Sequence, residues 1–286
     1  MNRLISILTV LVIAASARAQ VSDTLKINRG LFQLVDTTFM PYMAFNSTDT
    51  FQQRNHLIKV VKGDVLELIV INNDTVQHGF ALDAPVVLRD TLSPGDTGVY
   101  NVSFPSIGSF VYYDHLNFPV NQYMGLSGMV AVRRSSGSHD FFWNLKEHEK
   151  SMNEGIDQGG VPNWSNYDPD YFTINSLSNP FINEDSTSRI VGQVGDTIYL
   201  YISNTGRSIH SIHFHGFHEL ILFSSKFPNQ INWFKDSFPV YPMETLVLRI
   251  IPDKEGEYPV HDHNLVAVTS GNIYPNGMFS TMLISP

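Results

Sequence analysis

The sequence predicts an all-β chain made of two copies of one β-sandwich, and three observations carry that reading. Short runs rich in Val, Ile, Tyr, Phe and Thr, among them Val65–Ile71, Gly98–Phe104, Thr197–Ser203 and Thr245–Ile251, are cut by Gly, Pro, Asn and Asp. No segment sustains a 3.6-residue apolar period, and Glu147–Met152 alone reads as one or two helical turns. The third observation is a motif order that occurs twice.

In chain order, Arg3, the apolar run Leu4–Ala15 and Ala17-Arg18-Ala19 read as a secretory signal over residues 1–19, cleaved before Gln20. The run is too short to span a bilayer, and no later segment has the apolar length to do so. Export, to periplasm or medium, is therefore expected. About 267 residues remain, enough for two domains. Without Arg3 and Arg18 the formal charge moves from −9 to −11, with 16 basic against 27 acidic residues. This balance argues against nucleic acid and anionic membrane surfaces as partners.

The first copy runs from Lys62-Gly63-Asp64 through a strand to Asn72-Asn73, and His78-Gly79-Phe80 follows. The second runs from Gly195-Asp196 through a strand to Ser203-Asn204, and His215-Gly216-Phe217 follows. Gly108 then precedes Tyr113-Asp114-His115 and Gly128-Met129, as Gly256 precedes His261-Asp262-His263 and Gly277-Met278. Overlaying the copies this way pairs His78 with His215. The junction falls in the polar Arg133–His139 stretch, giving domains 20–137 and 138–286, the second opening on an irregular Asn/Gly/Pro-rich segment, 144–170.

Histidine is concentrated. His210, His213, His215 and His218 fall within nine residues and His261 and His263 follow, out of 11 in the chain. Imidazole is the commonest protein metal ligand, and H-x-H in a strand puts alternate rings on one face. The chain has no cysteine, which excludes disulfides, iron–sulfur ligation, thiol nucleophiles and a blue-copper thiolate.

These motifs resemble the cupredoxin domains of multicopper oxidases and their two-domain relatives, including copper nitrite reductases and small laccases, over nearly the whole chain after the signal. The resemblance rests on Pro94-Gly95-Asp96, Gly108 to His115, Gln122 to Gly125, Gly128-Met129, Asp170 to Asn175, the HxxHxHG run His210–Gly216, and Gly256 to His263. It implies two cupredoxin-like Greek-key β-sandwich domains. It also implies copper, as one or two ions, with zinc also chemically suitable.

Carried over residue by residue, His210 stands at the first type 1 histidine and Met278 at the axial methionine, with Asp262 where the cysteine belongs. A carboxylate cannot supply the copper–sulfur coupling of an electron relay. His115, His215 and His261 match one type 3 set. His78 and His263 match part of the other, with Tyr113 in place of its third ligand. His213 matches a type 2 ligand, with Val76 at the other position. Asp114 and Asp262 are expected to orient histidines from behind.

The ligands come from both domains, so the resemblance implies a site at a domain interface and, by analogy with two-domain relatives, a homotrimer. If the chain is an enzyme, the expected partner is dioxygen, a peroxide or another small inorganic oxidant, and no catalytic residue is assigned. The alternatives are a copper-binding protein without catalysis and a metal-free cupredoxin module.

Other readings are weaker. His213, His215 and Glu219 mimic part of a cupin motif, but its glycines and second motif do not follow. Lys146–Lys150 lacks the second histidine of HExxH and reads as a solvated surface. His218 is expected to face solvent or Glu219, and His56, His139 and His148 to lie in loops or on the surface.

Overall fold

The computed structural model describes residues 19–286. The segment expected to be a secretory signal therefore lies, apart from Ala19, outside the described residues. In the first half the strands are β1 (Gln20–Gln33), β2 (Phe39–Asn46), β3 (Ile58–Val61), β4 (Val65–Asn72), β5 (His78–Leu82), β6 (Leu88–Leu92), β7 (Thr97–Ser103), β8 (Gly108–Tyr113) and β9 (Ser127–Arg133), with a short helix α1 (Val120–Tyr123) before β9. They form two sheets, ordered β2-β1-β4-β7 and β3-β9-β8-β5-β6. The second half has β10 (His139–His148), the helix α2 (Lys150–Asp157), β11 (Tyr171–Ile174), β12 (Val191–Gln193), β13 (Ile198–Asn204), β14 (His210–Phe214), β15 (Glu219–Ser224), β16 (Phe234–Lys235), β17 (Ser237–Val240), β18 (Thr245–Ile250), β19 (Gly256–Asp262) and β20 (Phe279–Ser285). Its sheets are β11-β10-β13-β18-β15-β16 and β12-β20-β19-β14-β17.

The two halves have one topology. β1 pairs parallel with β4 as β10 does with β13, and β4 pairs antiparallel with β7 as β13 does with β18. In the other sheets β9-β8-β5-β6 corresponds to β20-β19-β14-β17. Strands with one face on solvent alternate because the other face meets the opposite sheet, whereas β5, β11 and β13 are buried throughout. β4 is the clearest case, with Leu66, Leu68 and Val70 inward. Separate cores result, around Phe45, Phe80 and Tyr112 in the first domain and around Trp143, Phe214 and Phe238 in the second. Met129, Ala131, Phe142, Tyr201 and Val247 pack across the seam between them.

Register corrects the overlay of the two copies. Ala81 lies opposite Tyr113 on β5 and β8, and His213 lies opposite His261 on β14 and β19. His78 therefore corresponds to His210, not to His215. The positions matching His213 and His215 are Ala81 and Asp83 rather than Val76 and His78. Tyr113 and His115 match His261 and His263. The triplet His-Gly-Phe misled because it recurs five residues out of step.

The start of the second domain also differs from expectation. Asn144 to His148 belong to β10, and the helix begins only at Lys150. Lys146, Glu147 and His148 are all buried, not a solvated surface. His148 packs between the rings of Phe32 and Tyr42, and burial drops its pKa to about 3. Burial lowers Lys146 to about 7, and its ammonium nitrogen donates to the Gln122 carbonyl at 2.7 Å.

Candidate metal centre

Residues on β14 and β19 bring four imidazoles together on one face of the second domain. His213 and His215 alternate outward along β14 and the bend that follows it, and His261 and His263 do the same at the end of β19, because residues two apart share a strand face. Ring centroids are 4.8 Å apart for His213–His215, 5.2 Å for His215–His261, 5.4 Å for His213–His263 and 5.8 Å for His213–His261. His213 and His261 are half-buried, while His215 and His263 are exposed. Burial and the neighbouring rings lower the pKa of His215, which favours the neutral, metal-binding form.

Two of the rings have their tautomer set by the backbone. His213 Nδ1 is 3.0 Å from the Asp236 carbonyl oxygen and 2.9 Å from Ser237 Oγ, and His261 Nδ1 is 2.9 Å from the Asp262 carbonyl oxygen. A carbonyl only accepts, so each Nδ1 carries the proton and each Nε2 keeps its lone pair. That is how histidine ligands are prepared. His215 Nε2 and His261 Nε2 are 3.1 Å apart. Two nitrogens on one ion at ~2.0–2.1 Å each would sit roughly 2.9–3.4 Å apart. The donors therefore suit copper or zinc. Among the described residues, however, no group of three His, Asp or Glu side chains is already closed around one centre; the four rings form an open fan.

Residues 155–279 match the family described as multicopper oxidase. The fold agrees over 93% of the chain. The structure of a blue copper oxidase from Nitrosomonas europaea superposes with a TM-score of 0.77 at 24% identity, covering 93% of this chain and 86% of that one. The multicopper oxidase mgLAC gives 0.76 at 21%, covering 93% and 87%. A copper nitrite reductase from Nitrosomonas europaea gives 0.71 at 16%, covering 93% and 94%. No curated protein matches the chain. The chain has the two-domain cupredoxin fold of these structures. The family that residues 155–279 match typically binds copper, and this chain, lacking cysteine, has no thiolate type 1 site.

What fills the corresponding interior of this cupredoxin is a buried ionic triad. His210 Nδ1 is 2.7 Å from Asp262 Oδ2 and its Nε2 is 3.0 Å from Glu147 Oε2, with all three side chains fully buried. Burial alone would push the imidazole pKa down. The hydrogen bonds that its ring donates to Asp262 and Glu147 outweigh it and raise His210 to about 9. Burial likewise works against ionised Glu147, but His210 and the Arg207 and Ser208 amides hold it at about 2. With both ring nitrogens donating, His210 has no lone pair for a metal. Met278 is buried in the core. The residues present do not fit a type 1 copper.

The first domain repeats this arrangement. His78 Nδ1 is 2.8 Å from Asp114 Oδ2 and its Nε2 is 2.9 Å from Asp74 Oδ2. Arg29 reaches the same Asp74 oxygen at 2.9 Å. His78, expected as a type 3 ligand, is thus an interior residue with both nitrogens engaged. Asp114 and Asp262 do orient histidines, but His78 and His210 rather than the rings of the cluster. Asp262 touches the cluster through its backbone carbonyl.

On the outer face of the first domain the positions matching the four histidines hold Ala81, Asp83, Tyr113 and His115. Tyr113 Oη donates to Asp83 Oδ2 at 2.9 Å and receives Arg89 Nη2 at 3.2 Å. Burial and Asp83 raise the Tyr113 pKa, which disfavours the phenolate. His115 is half-buried, and its Nδ1 is buried without a partner. The ring contacts join the four histidines of the second domain and include neither His78 nor His115. The set His115, His215 and His261 is therefore not assembled within one chain.

Glu147 and Asp74 escaped the sequence reading, yet Glu147 left a signal. Phe141, Trp143 and Leu145 face the core, and Glu147 continues the same parity. A carboxylate at a core-facing strand position needs a partner. Glu219 shows the same anomaly without the partner. It shares parity with Ile221, is fully buried, and neither of its carboxyl oxygens has a hydrogen-bond partner. It is turned away from the solvent-facing His218. Burial pushes its pKa up to about 8.

A pH-dependent cost follows. The unfolded chain releases the Glu219 proton near 4.5 and the folded chain only near 8, so wild-type stability falls as pH rises between those values. Glu219→Gln is expected to melt at the same temperature as wild type near pH 4.5. At pH 8 it should be more stable, by on the order of 1–3 kcal/mol. Equal stability at both pH values would contradict a buried, protonated Glu219.

Proposed function

We propose that the chain is an exported copper-binding protein whose metal is held by His213, His215, His261 and His263. The observation that supports this most directly is the pair of Nδ1–H bonds from His213 and His261 to backbone carbonyls, which leave both Nε2 atoms unprotonated, as a metal ligand requires. Bound copper would supply one-electron exchange and an open position for a small oxidant such as dioxygen or peroxide. The protein's share is to fix the ring tautomers and to present the donors on an exposed face. Electrons would have to reach the site directly, since no thiolate relay exists, so broad laccase-type turnover is expected to be weak or absent.

A second copy fits this reading. The histidine face is open, and the segment leaving His263 exposes Leu265, Val266, Ile273 and Tyr274. The first domain presents Asp83, Tyr113 and His115 at the matching positions. We place the first domain of a neighbouring copy against the histidine face, in a homotrimer.

The test is metal analysis of protein purified with copper supplied, alongside the solution mass. One or two coppers per chain, lost in His215→Ala, are expected, without an intense band near 600 nm. The particle should have three times the chain mass. Turnover of a small reductant with dioxygen would add catalysis; copper without turnover would leave a binding protein. Absence of stoichiometric copper, with His215→Ala unchanged from wild type, would refute the metal reading. A monomer would refute the shared face.

A further inference from the structure

We infer that the buried triad Glu147–His210–Asp262 is a positioning device for the histidine cluster above it. In this chain the vacated interior site sets the geometry of the metal ligands on the surface. The inference rests on the metal-binding reading of His213, His215, His261 and His263.

Asp262 is the pivot, because it lies between His261 and His263 and every polar atom it owns is engaged. Its amide donates to the Met278 carbonyl at 3.1 Å, and its carbonyl accepts His261 Nδ1–H at 2.9 Å. Its Oδ1 accepts the amides of Ser211 at 3.0 Å and Asn264 at 2.9 Å, and its Oδ2 takes His210. The amide of His263 donates to the Ser211 carbonyl at 2.7 Å. Rotation of Asp262 would therefore move the carbonyl that sets the His261 tautomer and the backbone that carries His263.

What holds Asp262 is the doubly donating His210, and what holds His210 in turn is Glu147. That carboxylate also ties down the bend between β13 and β14, with Oε1 accepting the Arg207 and Ser208 amides at 2.7 Å each. The Tyr167 hydroxyl donates to the same oxygen at 3.2 Å. The fit is close: a Cβ on Gly206 would lie 1.9 Å from Glu147 Oε2. A continuous set of hydrogen bonds thus runs from β10 through the bend and β14 to the ligand-bearing end of β19.

The first domain supplies an internal control. Its triad Asp74–His78–Asp114 is built in the same way, and Asp114 Oδ1 accepts the Gly79 and Leu116 amides. Its flanking residues, however, are Tyr113 and His115, and no histidine cluster stands over it. A purely structural role predicts equal consequences for loosening either triad. A positioning role predicts that only the second-domain triad governs metal.

Copper(II) affinity, and zinc(II) affinity as a redox-silent probe, should be measured by chelator competition on the full chain. His210→Gln and Glu147→Gln are expected to weaken binding about 10–100-fold, the range for groups that orient ligands. His78→Gln, with a similar stability loss, should stay within about twofold. If His210→Gln does not fold, Glu147→Gln, which leaves the His210–Asp262 bond in place, carries the test. Histidine nitrogen NMR of the metal-free protein is the second readout. The wild type should show His261 as the Nδ1–H tautomer and Glu147→Gln a mixture of tautomers, whether or not metal binds.

Unchanged affinity in both second-domain variants overturns the inference, as does an equal loss in His78→Gln. A wild type that binds neither metal refutes the metal reading. In that case an unperturbed His261 tautomer in Glu147→Gln refutes the positioning link separately.

Discussion

His210→Ala is expected to cost about 3–5 kcal/mol, the range for removing one partner from a buried ion pair. The loss comes less from the missing bonds than from what remains. Glu147 and Asp262 would be left in the core, facing each other across the vacated imidazole volume and out of reach of bulk solvent. For a chain of this size the melting temperature should fall by roughly 6–20 °C, read by thermal unfolding at pH 6. A drop of under 1 kcal/mol would mean that the triad is not ionised as described.

The sign of the pH dependence follows from the shifts. His210 is raised to about 9 from 6.5, so its stabilisation is fully present below about 6.5 and is lost as pH rises through 9. Glu147 is lowered to about 2 from 4.5, so its stabilisation is present above 4.5 and is lost as pH falls through 2. The two shifts share the His210–Glu147 bond, so their contributions do not simply add. The penalty of His210→Ala should be largest between about pH 4.5 and 6.5. Below that range it should shrink as the orphaned carboxyls take up protons. Above it the penalty shrinks as wild-type His210 loses its own proton. A penalty that does not vary between pH 3 and 10 would refute the assignment.

The second large effect concerns metal. His261→Ala and His213→Ala should each weaken copper binding by more than about 100-fold, since each removes a donor whose tautomer is already set. Ser237→Ala removes only one of the two contacts to His213 Nδ1 and leaves the Asp236 carbonyl, so a loss of about tenfold or less is expected. This graded order separates ligation from general disturbance of the surface. Equal affinities for wild type and His261→Ala would remove that ring from the site.

Much of this site was legible in sequence because its signals are local. H-x-H at strand period puts two rings on one face whatever the rest of the chain does, and two such pairs in a duplicated β chain suggest one site. The internal repeat also showed in the glycine and histidine spacing. An overlay on His-Gly-Phe nevertheless falls five residues out of step, because the triplet occurs at His78 and again at His215, and a short identical triplet says nothing about strand pairing. Only the opposition of Ala81 to Tyr113 and of His213 to His261 shows that His78 matches His210. The same gap concealed Glu147, read as part of a solvated run. Its partner His210 lies 63 residues away in sequence.

By itself, then, the sequence determined the all-β duplicated architecture, the family resemblance, the absence of a thiolate copper site and the two H-x-H pairs, each with both rings on one strand face. Each follows from composition, from the two-residue period of a strand or from motifs contiguous in the chain. The tertiary structure decided which histidines belong together. It turned His78 and His210 inward between paired carboxylates and kept His115 on the other domain's surface. It also linked the interior triad to the ligand strand. Those outcomes depend on register and on which buried charges meet, which are properties of distant strands brought into contact.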